Sequence, residues 1–283
     1  MQGVMKLRGL ECMRMASTRR LAVVVLFMVA CAATVTHGQS HFGAAGTFVS
    51  PIPPGLSAGL QQYAAAAESI GIATPALESW PDGSLTLGGV EVLGLQNPGA
   101  NWLAEVSPDG AQIAFDVYTF SILPDDNALD SGIPWTGQFV SLLVNYIGLA
   151  IHEFFHAQSL QLVSPWWNGL TEPQRNDILI CLFMEDPKAT KWACEEQSAY
   201  AQEANAVCQA AGSVGGNEFI PPVTRVLLKV AFCQLFDQAL AECHNHEAQC
   251  AQLQECAIAT LGGLPLSLPP PIACPAPCTH CQS

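Results

Sequence analysis

From Gly137 to about Val163 apolar residues crowd the chain with no proline among them, and Phe139, Val140, Leu142, Leu143, Val144, Ile147, Leu149 and Ile151 leave few polar positions. Such a run predicts a largely buried helix, capped by Thr136 and stopped ahead of Ser164-Pro165. Upstream the period changes to two. Trp102, Ala104 and Val106 alternate before Pro108-Asp109-Gly110, and Ile113, Phe115 and Val117 alternate after it. This predicts an antiparallel hairpin with one buried face. Pro81-Asp82-Gly83 is a second turn signal of the same kind, so a small twisted sheet is expected here.

Downstream of the apolar run, Thr171 with Gln174 three residues on has capping-box spacing, with Pro173 in the first turn of a helix reaching about Met184. A third helix is expected over roughly Thr190 to Ala210. A fourth starts after Pro221-Pro222 and reaches about Thr260, with a break possible near His244-Asn245-His246. Before Pro81 only a short helix around Leu60 to Ile70 stands out, and the proline-rich tail from Leu264 cannot be helical. Strands precede helices, so the fold class is α+β: a small antiparallel sheet followed by a mostly helical, disulfide-rich C-terminal part. The expected divisions are a signal peptide (1–38), a Gly/Ala/Pro-rich segment (39–81), the main domain (82–263) and a Pro/Cys-rich tail (264–283).

Composition narrows the function classes. The 283 residues are 50% hydrophobic and 12% charged, enough for a sizeable core. The formal charge is −14, which excludes a broad cationic surface for nucleic acid. Five of the ten basic residues precede the short apolar run Leu21–Ala30, the pattern of an export signal ending near Gly38. That run is shorter than the roughly 20 residues a spanning helix needs, and no later segment is expected to be long and apolar enough to replace it. Met28-Val29-Ala30-Cys31 has a faint likeness to a lipoprotein box, and Cys31 is the alternative lipid-anchor position. A secreted or periplasmic location fits the other cysteines. Ten lie between Cys181 and Cys281, an even number in an exported chain, which predicts disulfides with about 945 conceivable connectivities.

The chemistry sits inside the apolar run, at His152-Glu153-Phe154-Phe155-His156. Histidines at i and i+4 share a helix face, so both imidazoles can reach one metal ion with the glutamate beside its water. Catalytic zinc takes three protein ligands and a water whose pKa falls toward about 7. Glu153 is then the general base. Amid apolar neighbours these polar side chains would be costly unless satisfied. A chance match is expected in about one chain in a hundred of this length.

The third ligand is open among Glu172, Asp177, Glu185, Asp186, Glu195, Glu196 and Glu203. Ser159 and Leu162 stand where a metzincin has Gly and His, and no cysteine upstream of the motif serves a deformylase-like site. Glu172 reads as a helix-capping charge, and Glu185 and Asp186 as a helix end. The stronger case is Cys194-Glu195-Glu196-Gln197-Ser198-Ala199-Tyr200, a mid-helix carboxylate followed by a small residue that permits close packing. The motif with Glu196-Gln197-Ser198-Ala199-Tyr200 some forty residues later resembles the gluzincin group of zinc metallopeptidases. The resemblance covers about 60 residues. It implies His152, His156 and Glu196 as Zn2+ ligands, Glu153 as general base, a zincin-like fold, and a peptide or protein substrate along an edge strand, with the hairpin around residues 102 to 117 as a wall. Tyr200 departs from the more familiar Asp. Glu195 is the alternative ligand, since adjacent side chains on a helix point about 100° apart.

Other features carry bland expectations. His244 and His246 read as surface residues, and Cys243, His246 and Cys250, although they share a helix face, as disulfide cysteines with a neighbour rather than a second metal site. Cys274, Cys278 and Cys281 match an iron–sulfur spacing only formally. Trp166 and Trp167 either line a cleft or pack. The alternative to a secreted zinc peptidase is a non-catalytic secreted binding module that keeps the same helix geometry.

Overall fold

A computed structural model describes residues 46–96, 103–107, 109–121, 137–169, 171–174, 193–218, 220–261 and 271–282. The expected leader with Cys31, the helix cap Thr136, the candidates Asp177, Glu185 and Asp186, Cys181, and the side chains of Trp102, Trp166, Trp167 and Cys256 lie outside the described residues.

The chain is α+β, as its pattern predicts. Strand β1 (Thr47–Val49) is followed by helix α1 (Pro54–Ser69), strands β2 (Leu77–Ser79), β3 (Leu85–Leu87), β4 (Val90–Gln96), β5 (Ala104–Val106) and β6 (Gln112–Asp116), and a single turn, α2 (Val117–Phe120). Long helices α3 (Gly137–Gly169), α4 (Ala193–Gly216) and α5 (Pro222–Leu261) follow. Helix α1 begins earlier than expected because Pro54 occupies its first position, where the missing N–H costs nothing.

The sheet is mixed rather than antiparallel. Its order is β2-β3-β4-β6-β5, with β1 also against β4, and β4 pairs with β6 in parallel, Val92 opposite Ile113. After β4 the chain crosses to the far edge to form β5, then returns to fill the place between. Alternation cannot reveal such a crossover. Both turn signals hold. Gly83 and Gly110 take positive φ, and Asp82 and Asp109 accept backbone N–H bonds from Ser84 and Ala111. The β5–β6 hairpin pairs Ala104 with Phe115 and Val106 with Ile113, antiparallel as expected. It is covered on both faces, not one. Ile113 and Phe115 join the main core, while Ala114 packs with Leu93, Leu95 and Phe48.

Helix α3 forms the centre of the main core. Leu143, Val144, Tyr146, Ile147 and Ala150 are fully buried, and Tyr146 joins Tyr63 and Phe115 at ring separations of 6.0 and 6.1 Å. The stretch Gly137–Leu162, with mean hydropathy 1.3, is long and apolar enough to cross a membrane, contrary to the expectation; 78% of its most apolar window is buried within the molecule. A helix packed on all sides needs the same composition. It also runs past Ser164-Pro165 to Gly169. An interior proline loses the rung to the carbonyl four residues back and crowds it; here that carbonyl is Gln161's, on a turn whose Leu162 is exposed to solvent.

The Thr171 box forms in part, Gln174 Oε1 accepting from Thr171 N–H at 3.0 Å. Helix α5 runs through His244-Asn245-His246 without the expected break. Among the described residues four disulfides bind the helices and tail: Cys194–Cys250, Cys208–Cys278, Cys233–Cys281 and Cys243–Cys274. The tail follows α4, with Gln197 and Ser198 bonded to Ile272 near the start of the helix and Gly212 against His280 near its end. The tail cysteines are therefore cross-links, and the disulfides agree with an extracellular setting.

Candidate metal centre

The middle of α3 meets the first two turns of α4. His152, Glu153 and His156 come from α3 and are 2, 0 and 2% exposed; Glu195 and Glu196 open α4 at 7 and 1%. Both carboxylates fall in the first turn of that helix. Cys194 anchors this turn to α5 through Cys250, and Ser198 Oγ donates back to the Cys194 carbonyl.

The two imidazoles are one helical turn apart, with ring centroids at 4.7 Å. Their Nε2 atoms approach to 3.0 Å. Glu196 faces both, Oε1 at 3.3 Å from His156 Nε2 and Oε2 at 3.6 Å from His152 Nε2. Ligand atoms of His152, His156 and Glu196 all fall within 4.8 Å of one another, so this group could hold a metal ion. The opposite ring nitrogens meet other carboxylates: His152 Nδ1 lies 3.1 Å from Glu203 Oε2, and His156 Nδ1 lies 3.2 Å from Glu195 Oε1.

Electrostatics follow from this crowding. Burial by itself pushes both imidazoles down, but the carboxylates outweigh it. Hydrogen bonds to Glu196 and Glu203 bring His152 up to about 9, and the charges and hydrogen bonds of Glu196 and Glu195 bring His156 up to about 10. Tyr200, one turn after Glu196, sets its ring edge-on to His152 at 4.5 Å. Burial first, then Glu196, Glu203, Glu242 and Glu153, holds its phenol far above the ordinary tyrosine range, so it stays neutral.

Of the residues singled out in the sequence, His152, Glu153, His156, Glu195, Glu196 and Glu203 converge. Glu172 does not belong to this metal-binding group and stands exposed in the first turn after Thr171. His244 is a surface residue paired with Glu247 at 3.1 Å. His246 is only half exposed and stacks on Tyr200, with centroids 5.7 Å apart and planes 7° apart. A second cluster, His244, Glu247 and Cys274, is not a comparable site, because Cys274 is bound to Cys243. The helical spacing of Glu196, Tyr200 and Glu203, at i, i+4 and i+7, was the signal for the far side of the centre.

Compared with protein-family models, curated proteins and solved structures, the chain matches none of them.

Proposed function

We propose that the chain is a secreted zinc-dependent hydrolase of peptide or related amide bonds, of the gluzincin type and with a zincin-like arrangement. One observation carries the reading: two imidazole nitrogens and a carboxylate converge at ligand distance, while the opposite ring nitrogens face carboxylates of their own. If each Nδ1 carries the hydrogen, each neutral ring turns a lone pair toward the other ring and toward Glu196. Three such donors repel unless a cation lies among them. Two nitrogens and one carboxylate oxygen are a donor set suited to zinc.

A zinc ion held by His152, His156 and Glu196 would supply Lewis acidity and a fourth position at which a water loses its proton near neutral pH. Glu153, on the same turn of α3, takes a proton from the attacking water at a carboxylate oxygen. It passes that proton to the amine nitrogen as the carbon–nitrogen bond breaks. Neutral Tyr200 packs the His152 ring in place. Among the described residues β5 ends the sheet, and a peptide added beside it would be a further strand. The tip of its hairpin sits on the motif helix one turn beyond His156, where Gln161 Nε2 donates to the Gly110 carbonyl at 2.9 Å.

Burial supports a second reading. His152, Glu153, His156 and Glu196 are at most 2% exposed, as in a closed structural site, and this fits a non-catalytic binding module. Bound zinc and hydrolysis of internally quenched peptides, measured for the wild type and Glu153→Gln, separate the two. The enzyme reading expects zinc in both proteins and turnover lost by about 10²- to 10⁴-fold in the variant. Zinc in both with turnover in neither selects the module. A wild type that binds no zinc removes the metal reading.

A further inference from the structure

Two carboxylates that the hydrolytic reading does not use lie on the outer nitrogens of the motif imidazoles. Glu203 Oε2 is 3.1 Å from His152 Nδ1, and Glu195 Oε1 is 3.2 Å from His156 Nδ1. An ionised carboxylate can only accept, so in the hydrogen bond between Glu203 and His152 the hydrogen belongs to Nδ1, and at the ion-pair distance between Glu195 and His156 the nearby carboxylate favours a hydrogen on Nδ1 as well. In a neutral ring Nε2 is then the lone-pair nitrogen. Those are the two nitrogens that lie 3.0 Å apart and face Glu196.

Both glutamates are almost fully buried, 7% exposed for Glu195 and 3% for Glu203. They stand eight residues apart on α4, on either side of Glu196 and Tyr200 along the chain, so a single helix touches both rings from behind and from the front. Gly148, one turn before His152, leaves room for this. A Cβ there would come within 2.8 Å of Glu203 Oε1.

We propose that Glu203 and Glu195 are positioning residues of the metal centre, which lock His152 and His156 as Nδ1–H tautomers and present both Nε2 atoms, with Glu196, to one divalent ion. This rests on the metal reading above. It gives Glu195 an orienting task and leaves Glu196 as the ligand, because Glu196 alone of the two reaches the Nε2 side of both rings. A carboxylate on the far nitrogen also makes an imidazole a stronger donor.

The test uses the full disulfide-bonded chain and zinc alone, with affinity read by competition against a chromophoric chelator. Glu203→Ala and Glu195→Ala are expected to weaken zinc about 10- to 100-fold each. Glu203→Gln, whose amide oxygen can still accept, should recover most of that loss, and Glu196→Ala should cost more than either. Nitrogen-15 spectra of the zinc-loaded wild type should show both rings protonated at Nδ1 and coordinated at Nε2. In Glu203→Ala only the His152 signals should change, which a general loss of packing would not produce. A wild type that binds zinc through Nδ1, or alanine variants within threefold of its affinity, overturns the positioning roles while sparing the metal reading. Glu195→Ala costing as much as Glu196→Ala overturns the division between them. No zinc in the wild type overturns both readings together.

Discussion

His152 Nε2 and His156 Nε2 face each other at 3.0 Å across one turn of α3. Two protonated nitrogens at that distance would set N–H against N–H, and two bare ones would set lone pair against lone pair. The pair is comfortable with one proton between the nitrogens or with a metal ion joining them. Protons and metal therefore compete for the same place.

Zinc affinity should consequently rise with pH. The folded values of His152 and His156, about 9 and about 10, lie above the unfolded value, which is about 6.5. Protonated imidazoles thus stabilise the metal-free fold fully below about pH 6.5, and that contribution is lost as pH climbs through 9 and 10. Binding at pH 7 must displace at least the proton held between the two Nε2 atoms. Calorimetry in two buffers of different ionisation enthalpy should report it; an affinity that stays flat from neutral to alkaline pH contradicts the coupling.

Gly148→Ala should separate metal binding from stability. The new methyl meets Glu203 Oε1 and Leu235 Cδ2, both at 2.8 Å. Moving them costs about 1–3 kcal/mol, against a helix-propensity gain of about 1 kcal/mol. The net loss of about 0–2 kcal/mol should lower the unfolding temperature by at most several degrees, whereas zinc affinity should fall several-fold as Glu203 is pushed away from His152. Unchanged affinity would mean that Glu203 has another way to reach the ring.

Gly110→Ala should act on the hairpin. Gly110 has φ +71°, and a Cβ there would lie 2.4 Å from the Ala157 carbonyl oxygen. The left-handed conformation and the backbone clash together predict a loss of about 2–4 kcal/mol, read from the denaturation midpoint. A variant as stable as wild type would place the hairpin tip away from the motif helix.

Removing the Cys194–Cys250 link by a double serine substitution should cost about 2–5 kcal/mol. It should also weaken zinc, because Cys194 directly precedes Glu195 and Glu196. The Cys233–Cys281 link joins α5 to the tail away from these residues. Its double serine variant should lose stability with much less effect on zinc. Equal effects on zinc would deny a local role for Cys194.

The elements that could be read from sequence were those with strong local signals. Gly137 to Val163 has the apolar density of a buried helix, and Asp82-Gly83 and Asp109-Gly110 mark turns that need positive φ. The extension of α3 past Pro165 was hidden because Ser164-Pro165 is a strong local stop signal that the chain here overrides. Strand alternation at Ile113 and Phe115 revealed pairing but not the crossover that makes β6 parallel to β4.

By itself the sequence determined that two imidazoles and a glutamate share one helix, because spacing along an α-helix is fixed by its pitch. It also determined that the third acidic partner had to come from a distant segment, and it narrowed the choice to a few. Only the tertiary structure sorted Glu195, Glu196 and Glu203 among the four imidazole nitrogens. That assignment depends on the rotation and depth of α4 against α3, which are set by packing and by Cys194–Cys250 and not by any local signal in the chain.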